Sequence, residues 1–98
     1  MTINRELVGK QLTIALEGRL DTSTAPELES VAAEALDGVE KLIIDMKNLE
    51  YVSSAGLRVL LKMQKTMKKN GEMVVRNVGP EIMEVLDITG FSDILTIE

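Results

Sequence analysis

Residues Lys41 to Asn70 read KLIIDMKNLEYVSSAGLRVLLKMQKTMKKN. The first six form a short aliphatic run flanked by charge, which reads as a strand buried on both faces between helices. From Ser54 onward the period changes: Leu57, Leu60, Leu61, Gln64 and Met67 fall on one side of a helix. That helix ends in Lys68 and Lys69, where the macrodipole favours cations, and stops at Asn70-Gly71. A strand leading into a helix is half of a βαβ unit, and its repetition to either side decides the fold.

Upstream, INRELVGKQLTIAL (3–16) gives two strand-like pieces broken at VGKQ, with Leu12, Ile14 and Leu16 alternating against polar or small neighbours. This pattern reads as a β-hairpin. In GRLDTSTAPELESVAAEALDG (18–38), Leu28, Val31, Ala32, Ala35 and Leu36 make an amphipathic stripe. Thr24 with Glu27 fits a capping box, Pro26 is tolerated in a first turn, and Gly38 lies where a C-terminal cap is expected. Downstream, EMVVRNV is a strand candidate. GPEIMEVLDITG reads as a helix with Pro80 in its first turn, Ile82, Val85 and Leu86 inward and Gly90 as the stop, and FSDILTIE reads as a final strand. The sum is ββαβαβαβ: one layered α/β domain over residues 1–98, with a mostly parallel sheet, an antiparallel N-terminal hairpin and right-handed crossover helices.

Composition limits the chemistry. A chain of 98 residues buries about 60 to 70 per cent of its unfolded surface, enough for one small core. With one Tyr, one Phe and no Trp, that core is aliphatic, filled out by Met46, Met63, Met67, Met73 and Met83. A base-stacking surface is not expected, and a formal charge of −5 argues against direct nucleic-acid binding or attraction to anionic lipid. The expected partner is a protein. No cysteine means no disulfide or thiolate chemistry, and no histidine removes the commonest general base and transition-metal ligand. No phosphate-cradling glycine loop and no paired-carboxylate motif are evident, so the reading is not an enzyme, with no cofactor and no metal. MTINRELVGK lacks the apolar core of a signal peptide and no apolar run is long enough to span a bilayer, which leads us to expect a cytoplasmic protein without membrane insertion.

In an open α/β sheet, binding groups gather beyond the carboxyl ends of the strands. The loops leading into the three helices therefore should bring Asp21 and the pair Ser53 and Ser54 onto one rim, along with Asn77. A helix needs one N-cap side chain, and Ser53 fits it. Ser54 is then the first helical residue, its hydroxyl offered at the positive end of the macrodipole, where an added phosphate is favoured. Gly56, inside the first turn, costs about 1 kcal/mol relative to alanine, which close approach of another backbone would offset. Arg58, Lys62, Lys65 and Lys69 form a basic stripe on the Ser54 face. Two readings stay open: a routine cap with a packing glycine and a solvated charged face, or a modification site beside a docking face for an acidic partner, with Arg58 able to pair with a phosphate on Ser54. Asp21 is likewise either a structural carboxylate at the helix start or a partner contact.

Three blocks together, EGRLDTSTAPEL (17–28), LEYVSSAGLRVLL (49–61) and GEMVVRNVGPEIMEVLDITGFSDIL (71–95), resemble a stand-alone STAS domain, the module of bacterial anti-sigma factor antagonists. The likeness covers nearly the whole chain. It implies partner switching: the unphosphorylated antagonist binds an anti-sigma factor that is also a serine kinase, the sigma factor is released, and phosphorylation ends the binding. In the best-known members the helix begins Asp-Ser-Ser-Gly or Asp-Ser-Thr-Gly, and the serine after the Asp accepts the phosphate; the matching position is Ser54. Ser53 stands in place of that Asp, and both residue types cap helices well. Asp21 matches the family's loop aspartate. Arg58 replaces a glycine of several members, adding bulk and charge. The implied contact set is Asp21, Thr22, Ser53, Ser54, Ala55, Gly56, Leu57 and Arg58. STAS domains also serve as non-phosphorylated subunits of lipid-trafficking ABC transporters or signalling assemblies, and there the same helix face would be a permanent interface.

Overall fold

The computed structural model describes residues 1–98, with β1 (Thr2–Val8), β2 (Gln11–Leu20), α1 (Ala25–Ala35), β3 (Lys41–Val52), α2 (Ser54–Asn70), β4 (Glu72–Arg76) and α3 (Pro80–Thr89) in chain order. β1 and β2 form the expected antiparallel hairpin, turning at Gly9 with φ +62, a left-handed conformation that glycine adopts without strain. The other two pairings, β2 with β3 and β3 with β4, are parallel.

The strands lie in the sheet in chain order, β1-β2-β3-β4. When successive right-handed crossovers all step the same way across a sheet, their helices land on the same face. The core follows suit: Leu12, Ile14 and Leu16 of β2, Leu42, Ile44 and Met46 of β3, and Met73 and Val75 of β4 share one buried cluster with residues of all three helices. Ile43 and Val74 are buried too but lie outside that cluster. They sit side by side on the other face, next to Thr13 and between rows carrying the Lys41–Glu72 and Arg76–Glu98 ion pairs. The strand expected to lie between helices is thus covered by helices on one side only.

Three local expectations are corrected. Thr24 precedes α1, but its hydroxyl donates to the Arg19 carbonyl (2.7 Å) and accepts from the Asp21 N–H (2.8 Å), so no capping box with Glu27 forms. α1 ends at Ala35 with Leu36 as its cap, two residues before Gly38, whose φ of +80 serves the following turn instead. The last strand is reduced to a 3-10 turn at Phe91–Asp93 and a single parallel bridge between Val75 and Ile97. Gly90, at φ +81, ends α3 in a left-handed cap, and only Thr96 and Glu98 then exchange backbone bonds with Val75 (2.8 and 2.9 Å).

β3 runs six residues beyond the expected KLIIDM and reaches Val52, through two irregularities in its register with β2. β4 stops opposite Asp45. Asn77 follows immediately, in the left-handed region at φ +57, and donates to the Asp45 carboxylate at 3.0 Å. The stagger between the strands therefore places Asn77 beside the middle of β3 rather than with the serine pair at its end.

Candidate functional site

β2 and β3 end together, Leu20 opposite Val52, and the Ser53 N–H extends their pairing by one rung to the Leu20 carbonyl (2.8 Å). This bond joins the loop after β2 to the N-terminus of α2. Ser53 is in extended conformation, and its hydroxyl oxygen accepts the Gly56 N–H at 3.3 Å, which makes it the N-cap. Ser54 is the first residue of α2 and is exposed.

Gly56 is buried against the end of β2. A Cβ on it would stand 2.6 Å from Leu20 Cγ and 3.0 Å from the Leu20 carbonyl oxygen, so the absence of a side chain is what lets α2 start this close to the sheet. Leu57 is also buried, whereas Thr22 and Arg58 are exposed and Ala55 is half-buried. Thr22, Ala55 and Arg58 meet around a shallow groove between the starts of α1 and α2, with Lys62 and Glu29 farther along it. Of the eight contact residues named from sequence, five gather at this surface with their side chains at least partly accessible around Ser54; Gly56 and Leu57 form the floor beneath, and Asp21 stands at the edge.

Asp21 organises the loop. Its carboxylate accepts the Ser23 hydroxyl (2.7 Å) and the backbone N–H groups of Ser23 (3.0 Å) and Thr24 (3.1 Å), while its carbonyl accepts the Ala25 N–H (2.8 Å). The Ser23 hydroxyl, with those N–H groups, holds the Asp21 carboxyl below the usual aspartate range, against a smaller opposing effect of burial. Asp45 is likewise lowered, foremost by the Asn77 amide and then by the Lys47 N–H.

Two neighbours of the site were not singled out in the sequence. Arg19 and Tyr51 pair across β2 and β3 one step before the site, with the guanidinium 4.2 Å from the ring centroid and Arg19 Nε 3.9 Å from Asp21 Oδ2. The alternation of β2 and β3 carries the only available signal, since residues adjoining buried Leu20 and Val52 must face the other way.

The STAS domain family model matches residues 2–98. The chain belongs to the STAS domain family. Among relatives of this STAS domain, an anti-sigma F factor antagonist of Paenibacillus polymyxa is 34% identical over 89 residues, covering 88% of this chain and 76% of that one. A crystal structure of an anti-sigma factor antagonist from Mycobacterium paratuberculosis superposes with a TM-score of 0.87 at 26% identity, covering 98% of this chain and 83% of that chain. The phosphorylated form of the Bacillus cell fate determinant SpoIIAA superposes with a TM-score of 0.76 at 19% identity, covering 99% and 91% of the two chains, a likeness of fold. No helix of this STAS domain is long and apolar enough to cross a membrane.

Proposed function

We propose that this STAS domain is an anti-sigma factor antagonist that binds a serine-kinase anti-sigma factor when unphosphorylated and is switched off by phosphorylation at Ser54. The observation that carries the reading is the division of labour between the two serines: Ser53 makes the cap bond, and the exposed Ser54 hydroxyl stands free at the start of a seventeen-residue helix. The names of the relatives support the partner class. In the transfer, Ser54 Oγ attacks the γ-phosphorus of ATP on the kinase; the Oγ–P bond forms as the bond to ADP breaks, and the hydroxyl proton passes to a base on the kinase. The added charge of about −1.5 to −2 makes it costly to desolvate a rim that already carries Asp21 and Glu50. The role is regulatory rather than enzymatic, in the cytoplasm where sigma factors act, and involves no metal or cofactor.

The test is to incubate the purified protein with the serine-kinase anti-sigma factors of its host and ATP, and to locate phosphate by mass spectrometry. Phosphate on Ser54, with Ser54→Ala binding the kinase constitutively and Ser54→Asp binding it poorly, is expected. Equal binding by the two variants, or no phosphate with active kinases present, overturns the switch and leaves a constitutive subunit of a transport or signalling assembly.

A further inference from the structure

The outward face of α2 carries more charge than its C-terminal end explains. Arg58, Lys62, Lys65, Lys68 and Lys69 are five of the eleven cations of a chain whose net charge is −5, only Lys68 and Lys69 lie in the last turn, and α2 contains no Asp or Glu. Buried Gly56, Leu60, Met63 and Met67 mark the opposite side, so Arg58, Lys62, Lys65 and Lys69, all exposed, line up on the outermost surface with Ser54 at the head of the row. At 1.5 Å per residue the row is about 22 Å long.

Helix stability accounts for Lys68 and Lys69, which suit the C-terminal end of the macrodipole, but not for Arg58, Lys62 and Lys65. Both α1 and α3 place a glutamate in the first turn, where it complements the macrodipole; α2 has none and brings Arg58 close to its positive end. Like charges at spacings of three and four residues repel on a helix surface. Only Lys62 finds a carboxylate, Glu29 of α1 at 3.9 Å, and Arg58, Lys65, Lys68 and Lys69 have none within ion-pair reach. The groove between α1 and α2 runs beside the row, bordered by Glu29, Lys62 and Thr66.

We infer that the Arg58–Lys62–Lys65–Lys69 row docks an acidic segment of a protein partner, extending the interface from Ser54 along the length of α2. The inference rests on the reading of this protein as a partner-binding module and adds the chemistry of the partner. Charge complementarity selects the occupant: the row is one helix wide, lies on a net acidic protein and has no aromatic residue to stack a base, which suits a carboxylate-bearing segment better than a nucleic acid or a lipid surface. A phosphate on Ser54, one turn from Arg58, would compete with the partner's carboxylates for that guanidinium.

The test is to titrate the isotope-labelled protein with a deca-glutamate peptide and follow backbone amides by NMR. Shifts concentrated at Arg58, Lys62, Lys65 and Lys69, declining as salt is raised, are expected even though the two molecules repel overall. Reversing two cations of the row, Lys65→Glu with Lys69→Glu, should weaken binding about tenfold or more, and the milder Lys65→Gln with Lys69→Gln serves if the reversal unfolds the chain. Reversing Lys10 and Lys47, which lie elsewhere, should change it far less. Equal loss from that control pair, shifts away from α2, no binding, or tighter binding of an oligothymidylate or of phosphatidylglycerol vesicles overturns the inference. None of these readouts involves Ser54 phosphorylation, so this proposal and the switch fail separately.

Discussion

At the scale of the residue, the site is set by which polar atom satisfies which backbone group. Ser53 and Ser54 are chemically identical neighbours, yet only Ser53 accepts a backbone N–H. Ser53→Ala should therefore lower stability by about 1 kcal/mol, while Ser54→Ala, which removes no bond, should leave the urea midpoint nearly unchanged. Asp21 offers a pH test. Its folded pKa lies below the ordinary 3.8, so the stabilisation it brings is present above the pH at which an unfolded aspartate titrates and is lost as pH falls through the lower folded value. An NMR titration of the Asp21 carboxyl should give a midpoint below 3.8 that moves up in Ser23→Ala, because the Ser23 hydroxyl is the foremost cause. An unshifted midpoint would mean that the loop is not held by this carboxylate.

At the scale of the element, α2 shows how far a sequence pattern reaches. Its limits, its cap at Ser53 and its stop before Gly71 follow from residues within one turn of each other. The reason for Gly56 does not, because the atoms that exclude a Cβ belong to Leu20, thirty-six positions earlier. Gly56→Ala adds helix propensity worth about 1 kcal/mol but drives a methyl into Leu20; a net loss of about 1 to 3 kcal/mol is expected from overpacking, measurable by denaturant unfolding. Gln64 lies on the expected apolar side, half-buried, with its amide oxygen shielded from solvent and without a hydrogen-bond partner. Gln64→Met should raise stability by about 1 kcal/mol by removing that unsatisfied acceptor. The α1 start fails as a local reading for the converse reason: the Thr24 hydroxyl oxygen accepts the Asp21 N–H in the loop after β2 instead of a helix N–H, while its proton goes to the Arg19 carbonyl.

At the scale of the whole molecule, one aliphatic core on one face of the sheet ties the three helices together. Leu60, fully buried in it, should cost about 2 to 5 kcal/mol as Leu60→Ala. That is a large share of the roughly 5 to 15 kcal/mol that keeps a domain folded, so urea unfolding should show a much earlier midpoint. The sequence by itself determined the kinds and order of the elements through β4 and α3, the apolar stripes, the capping role of Ser53 and the charge along α2, since each depends on residues within a few positions of one another. Only the tertiary structure decided that the strands lie in chain order, that one sheet face goes without helices, that β3 outruns β4 and separates Asn77 from the serines, that Gly56 answers to Leu20, and that Arg19 stacks on Tyr51. These rest on pairings between segments distant along the chain, where several registers satisfy the same local pattern and the collective burial of the core selects among them.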